Sequence, residues 1–513
     1  MKKFFRTTIT SSDRNVVSQF LLDAEKEMSE CDAEMNRLRA KVLALESKKK
    51  GLKKVAEKCR SLLAPVHRLP TEILAHVFSM ACKMNFDLCP LYPPSSMQLS
   101  SVCGRWREIV LSTTMLWSAL RIDFSQWVGD FAALERAVRI FMDRSGVRPL
   151  QLELDFKGIV DDMADALRPI MGILARNCVR WQDVSLLRLD KYDAFLSHNS
   201  EGMAFSALRT LRMHSYDSLP PVARSLFKDS PALKSFEIGS QEAFEGEHFD
   251  LPWHQIETLT ISLSDAPAAL AFMSSFTHLK NLHLSRVGHD LSVTAADYNR
   301  HYSSNTMRSI EFTWDDQGDA DTTLSRLTLP ELSSLTMCNS GDGGPEEWPV
   351  WDESPAMDFL TRSACTITTL CLKELPMTDQ QGIALLELMP FLATLEIEES
   401  SMTPHKIITQ RLLQRLVVDH QEALLSGRSF LPLLTRLVLV VRKDGLVAQD
   451  FIDAVSSRWI PDREQAKEIG VDCMRSASIS VMRGDASDVE KFSFLECFRD
   501  VGLQLTVNHT RTP

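Results

Sequence analysis

The sequence has no apolar run approaching eighteen residues, so no membrane-spanning helix is expected. It begins MKKFFRTTITSSD, and Arg6 with the polar run behind it removes the apolar stretch that a secretory signal needs. It has no surplus of positive charge. Fifty-seven Lys and Arg stand against 68 Asp and Glu, a net −11, which argues against general binding to nucleic-acid phosphates. Eleven cysteines occur, but no CxxC pair and no Cys/His cluster at zinc spacing. Reduced, mostly buried thiols are the expectation, in a chain of the cytoplasm, the nucleus or both. Also missing are GxGxxG, the P-loop, HExxH and the GxSxG elbow. GDGG at 341–344 lies in a polar stretch and reads as a turn. His278 and His283 are five apart across a strand start, poor ligand geometry. No catalytic, cofactor-binding or metal residue is expected, and the chain reads as a non-enzyme.

What is present is ordinary in amount and unusual in order. With 44% hydrophobic residues over 513 positions, a sizeable core is available, as two to four domains or one long repeat array. Residues 1–15 read as a flexible tail, with Ser11, Ser12 and Asp13 as helix caps. A long helix follows over 16–63. Its apolar residues Leu21, Ala24, Met28, Cys31, Met35, Leu38, Val42, Leu45, Leu52, Ala56, Cys59 and Leu63 keep a heptad, the pattern of a coiled coil. Lys49 at an a position and Gly51 beside it are flaws. Three readings follow: the helix pairs with a second copy as a homodimer, folds back on the F-box or the downstream array, or stands as a single solvated helix. The basic run at Lys48–Lys50 with Lys53 and Lys54 reads as a solvated face.

The next stretch, Leu62 to Leu120, carries two short helical stripes around a Pro-rich spacer. Pro70 suits the start of a helix to about Met80, with Ile73, Leu74, Val77 and Phe78 on one face. A second helix is expected from about Ser100 to Leu111, with Val102, Cys103, Trp106, Ile109 and Val110 on one face and Trp117 close behind. Between them Pro90, Pro93 and Pro94 predict a loop over 79–99. Cys103 reads as an apolar packing residue, since no nearby His or Asp would activate it. LPTEIL, VCGRWREI and LW in this order resemble the F-box. LLAPVHRLPTEILAHVF, VCGRWREIVLST and LWSAL are similar more narrowly to the F-box-like proteins of mushroom-forming basidiomycete fungi. The resemblance implies an all-α F-box over 64–120 that docks a Skp-type adaptor and through it a cullin. Leu69, Pro70, Ile73, Leu74, Val77, Phe78, Val102, Cys103, Trp106 and Trp117 would form the adaptor-facing surface and its support.

Beyond it, Asp130 is positioned to cap a helix with Phe131, Leu134, Val138 and Phe141 inward, Gly146 to end it, and Leu150, Leu152 and Leu154 to alternate as a strand. An apolar-x-x-apolar-x-apolar unit then recurs. It starts at Trp181, Leu208, Leu233, Ile256, Leu279, Met307, Leu332, Ile367, Leu392 and Leu434. Most starts are 23–28 residues apart, the range of leucine-rich repeats, whose units bury their apolar faces by stacking. Two longer steps hold insertions: an acidic, aromatic loop at 341–355 and a helix-like stretch from Ile407 to Leu425. Ser478 to Met482 and Leu503 to Val507 read as terminal strands, with a helix between them capped by Ser487 and Glu490, and 508–513 as a tail. Trp348 and Trp351 read equally as recognition or anchoring residues, Trp253 and Trp314 more as core.

The expected architecture is thus mixed: an N-terminal coiled-coil helix (16–63), an all-α F-box (64–120), and an α/β leucine-rich-repeat-like solenoid (121–507). An irregular α/β domain without regular curvature is the alternative. Functionally the chain reads as the substrate-recognition adaptor of an SCF-type, cullin-based ubiquitin ligase, with an unknown protein substrate on the repeats. The alternative is a non-degradative scaffold for protein–protein interaction.

Overall fold

The structure, a computed structural model, describes residues 10–83, 87–127, 130–159, 163–189, 203–215, 221–239, 250–262, 276–287, 301–314, 317–339, 351–400, 405–427, 429–445 and 448–510. The chain divides into two compact units, residues 1–77 and 78–513.

The first unit is dominated by one helix, α1 (Ser11–Leu62), of 52 residues, none of them buried. Its cap is Thr10, not Ser11, Ser12 or Asp13. The Asp13 N–H donates to the Thr10 hydroxyl at 3.3 Å, and the Thr10 N–H donates to the Asp13 carboxylate at 3.1 Å. The reason is spacing: a capping box needs its acid three residues inside the cap, and Asp13 stands three from Thr10. Residues 11–15, expected in the tail, are therefore helical, while residues 1–9 of that tail lie outside the described residues. A turn of 3₁₀ helix, Pro65–Arg68, precedes α2 (Thr71–Lys83). Pro70 stands just before α2 rather than inside its first turn, and its carbonyl accepts from the Leu74 N–H at 3.1 Å.

The division between the units falls inside α2. In the second unit the expected loop over 79–99 proves partly regular. After α2 ends, Asp87–Leu88 form a short strand and α3 (Ser95–Val102) begins behind Pro94. The three prolines confine irregular backbone to a few residues, because each fixes φ near the value a turn or a helix entry needs. The single second helix also divides. Cys103 is extended at φ −158°, ψ 170°, and α4 (Gly104–Ser112) starts after it. Ser100 and Ser101 donate to the carbonyls of Met97 and Gln98, both at 2.7 Å. Such local side-chain bonds compete with helix continuation, and Gly104 adds no helix propensity.

The second unit is organised on parallel strands alternating with helices. They are β1 (Asp87–Leu88), β2 (Ala119–Asp123), β3 (Leu150–Asp155), β4 (Trp181–Leu187), β5 (Thr210–His214), β6 (Ser235–Gly239), β7 (Thr258–Ser262), β8 (Asn281–Val287), β9 (Tyr302–Ser303), β10 (Ser309–Trp314), β11 (Leu327–Thr328), β12 (Ser334–Asn339), β13 (Thr369–Lys373), β14 (Thr394–Glu398), β15 (Arg436–Arg442), β16 (Ser476–Met482) and β17 (Gln504–Thr510). Fifteen of them form one sheet in strict chain order, and β9 pairs with β11 apart from it. The repeat explains the register. Leu211, Phe236, Leu259, Leu282, Ile310, Leu335, Leu370, Leu395 and Leu437 are partners from strand to strand, and all are buried. A one-residue slip would turn each of them to the other face. The helix α5 (Phe131–Ser145) is capped as expected, Asp130 accepting from the Ala133 N–H at 3.2 Å and Gly146 leaving at φ +60°.

Some expectations are corrected and others are met or refined. Strand β1 and the first two residues of β2 lie inside the stretch expected to be all-α, 64–120. Trp351 is interior and stacks on Trp314 at 6.1 Å between ring centres, and Ser354 and Pro355, expected in the loop, instead open a helix, Ser354–Ser363. Trp348 and residues 340–350 of that insertion lie outside the described residues. Trp253 packs edge-on against Phe236 and Phe276. The Ile407–Leu425 stretch is two helices, Gln410–Leu416 and His420–Ser426. Near the C-terminus the capping pair is Asp485 with Asp488, not Ser487 with Glu490, since an aspartate accepts charge-assisted bonds that a serine cannot match. His509 and Thr510 extend β17 rather than fraying.

Candidate functional site

The ten residues expected to serve adaptor docking fall into two groups. In residues 1–77, Ile73 and Val77 are 49% and 47% exposed and stand one helical turn apart on α2, while Leu69 and Pro70 at its entry are also exposed. Residues four apart share a helix face. Leu74, next to Ile73 in the chain, is buried. Met80, seven residues beyond Ile73, is exposed as well. Sequence reasoning passed over it, although its spacing continues the stripe.

In residues 78–513, Phe78 is buried and its ring lies 4.7 Å from that of Trp106. Trp106 and Cys103 are half-buried, and Val102 is 60% exposed at the end of α3. Trp117 is fully buried. Its indole N–H donates to the Val110 carbonyl at 2.9 Å, Phe141 meets it edge-on at 5.1 Å, and the Arg144 guanidinium lies 4.4 Å over the ring. Of the ten, Leu74, Phe78 and Trp117 are buried, whereas Leu69, Pro70, Ile73, Val77 and Val102 are exposed.

The strands after this region present a polar row opposite the apolar one. Arg121 lies 3.6 Å from Asp87 and 3.0 Å from Glu153. Glu237 accepts from Arg212 at 3.1 Å and bonds His214 at 2.9 Å. Just before the strands begin, Glu257 ahead of β7 lies between Lys234 ahead of β6 and Lys280 ahead of β8, at 2.7 and 2.8 Å. His283 pairs with Glu311 at 2.8 Å. The hydrogen bond from His214 holds the Glu237 carboxyl below the usual carboxylate range, and that from His283 does the same for Glu311. His283, weighed with His278 as a ligand pair, is thus engaged by a carboxylate. Such ladders keep a sheet face polar and solvated.

Nothing in this row is built for covalent chemistry. Burial, reinforced by the neighbouring Glu396, pushes the Cys371 thiol up to about 12, far from the thiolate a nucleophile requires. Burial also raises Cys82, Cys338 and Cys365. Alkylation of the native protein at neutral pH is therefore expected to label the exposed Cys497 readily and to leave Cys371 unmodified until denaturant is added. Rapid native labelling of Cys371, read by peptide mass, would contradict this. Among the described residues no group of His, Cys, Asp and Glu is arranged to hold a metal ion, and no helix is long and apolar enough to cross a membrane.

A comparison with curated proteins returns no match for this chain. Residues 66–123, running from the turn before α2 through α3 and α4 to the end of β2, match the F-box-like family.

Proposed function

We propose that this chain is the substrate-recognition adaptor of an SCF-type ubiquitin ligase. Its F-box would dock a Skp-type adaptor and through it a cullin, and its strand array, read as a degenerate leucine-rich-repeat solenoid, would hold a protein substrate. Ubiquitin transfer would be carried out by other subunits, this chain positioning the target. The observation that carries the reading is the F-box-like match over residues 66–123. The exposed apolar side chains Leu69, Ile73, Val77 and Val102 within that span support it. Burying each contributes about 1.5–3 kcal/mol, which in sum is comparable with the roughly 4–15 kcal/mol that association costs. The strict chain order of the sheet supports a stacked array, since units that cannot bury their apolar faces alone add one beside the last.

The test is capture of a Skp-type adaptor by the full chain. Wild type is expected to bind. Ile73→Asp with Val77→Asp is expected to weaken binding at least about a hundredfold, with the unfolding transition unchanged because both residues are solvent-exposed. Leu69→Ala with Pro70→Ala should weaken it as well. Failure of the wild type to bind, or full binding by both double variants, would favour a non-degradative scaffold instead.

A further inference from the structure

Helix α1 carries an apolar seam that is left uncovered. Helices of this length draw most of their stability from packing an amphipathic face, yet no residue of α1 is buried. Phe20, Leu21, Met28, Met35, Leu38, Val42, Leu45, Leu52 and Val55 are all exposed. The heptad assigns Leu21, Met28, Met35, Val42, Lys49 and Ala56 to a, and Val17, Ala24, Cys31, Leu38, Leu45, Leu52 and Cys59 to d. Two copies of this seam bury each other in either orientation. The residues around the seam decide which.

Charge is distributed unevenly along the helix. Residues 11–36 carry seven acidic and two basic side chains, and residues 37–62 carry two acidic and ten basic. Side-by-side parallel copies set like halves together, whereas antiparallel copies set each acidic half along a basic one. We propose that α1 joins two copies of this chain as an antiparallel coiled coil, with its two-fold axis between Asn36 and Arg37, the midpoint of the helix. In that register the seam pairs Leu21 with Leu52, Met28 with Leu45, Met35 with Leu38 and Val42 with Cys31 of the partner subunit.

Three features agree with this orientation and oppose the parallel one. Flanking positions set partner choice through charge. Antiparallel, Glu27 faces Lys48 of the partner subunit, Glu34 faces Lys41 of the partner subunit and Asp32 faces Arg39 of the partner subunit; Glu25 against Glu46 of the partner subunit is the one repulsive contact. Parallel, Glu34–Arg39 and Lys41–Glu46 attract across the dimer, but Glu27–Asp32 and Lys48–Lys53 repel. The second feature is Lys49. Parallel pairing buries it against its own copy, whereas antiparallel pairing sets it beside Ala24 of the partner subunit, a small neighbour past which its stem reaches solvent. The third is the exposed pair Phe20 and Val55, which meet each other across the antiparallel dimer and face Glu25 and Arg60 in the parallel one.

Sedimentation of the full chain tests the proposal. Wild type is expected at twice the 57.9 kDa chain mass. Glu27→Lys turns two attractions per dimer into repulsions, as does Lys48→Glu. Each alone is expected to raise the dimer dissociation constant about tenfold, and the two together to restore it. Glu27→Lys also gains Glu30 and Asp23 as neighbours on its own helix, so loss of helix cannot account for a weakened dimer. A parallel dimer gives the opposite sign, because Glu27→Lys would then meet Asp32. Mild oxidation gives a second readout. Val42→Cys is expected to crosslink to Cys31 of the partner subunit, and wild type to form no Cys31–Cys31 disulfide. A monomer at every concentration, a dimer indifferent to both charge changes, or a Cys31–Cys31 link would each overturn the proposal.

Discussion

Replacing Trp117 by alanine is expected to cost the second unit about 3–5 kcal/mol, the range for truncating a fully buried aromatic in a packed core. The indole is wholly enclosed, edge-on to Phe141 and beneath the Arg144 guanidinium. Its N–H satisfies the Val110 carbonyl near the end of α4, where helix carbonyls lack intrahelical partners. The substitution therefore removes apolar contact, an aromatic pair and a capping bond together. Trp117→Phe keeps most of the volume and loses the bond, and should recover more than half of the loss. Urea unfolding followed by circular dichroism reads both variants. A shift below about 1 kcal/mol for the alanine variant, typical of a surface position, would show that the ring is not the support described.

Arg458→Ala is the second large expected effect, at about 3–5 kcal/mol of destabilisation. Arg458 closes the helix Ala448–Arg458 and is almost fully buried, with no carboxylate bonded to it among the described residues. Its guanidinium donates instead to three backbone carbonyls: Leu416 at 2.6 Å, Leu431 at 2.8 Å and Phe430 at 2.5 Å. Leu416 ends the helix Gln410–Leu416, and Leu431 is held at φ +48°. One side chain thus ties a helix end, a strained turn and a second helix together. Burial lowers its pKa to about 10, so it remains charged at neutral pH. Arg458→Met fills the space but leaves the carbonyls unpaired. It should be nearly as unstable as the alanine variant in the same unfolding measurement. A methionine variant as stable as wild type would show that packing rather than the three bonds holds this corner.

These two residues mark where the sequence was legible and where it was not. The repeat was readable because each unit carries its own apolar spacing. Its middle and last apolar positions, Leu211 and Met213 or Leu395 and Ile397 for example, lie in parallel strands of one sheet. Helix caps were readable to within a residue or two; Asp130 was assigned, whereas Thr10 and Asp485 were displaced by nearby serines and aspartates that offer the same chemistry. The break at Cys103 was hidden because the apolar spacing continues across it. Arg458 was visible only as a charge at the end of an apolar helix, and nothing local shows that three carbonyls from two other segments converge on it. In the family-matched span the apolar stripe was legible as a whole. Its division into buried and exposed residues was not, because Leu74 and Ile73 are alike in sequence and opposite in exposure.

The Pro-rich segment after α2 has a consequence for how this protein can be altered. Because β1 lies within it, the sheet begins before the family-matched span has ended: Leu88 pairs with Ile122, and the Trp127 indole donates to the Leu88 carbonyl at 3.1 Å. The matched span and the array therefore share hydrogen bonds and cannot be exchanged as separate cassettes. A chimera joined at residue 120 would cut through β2 and leave β3 as a bare edge. At the other end, β17 pairs with β16 alone among the described residues. The two edges of the sheet thus differ: β1 lies within the matched span, whereas β17 lies at the far end of the strand order, fourteen strands away.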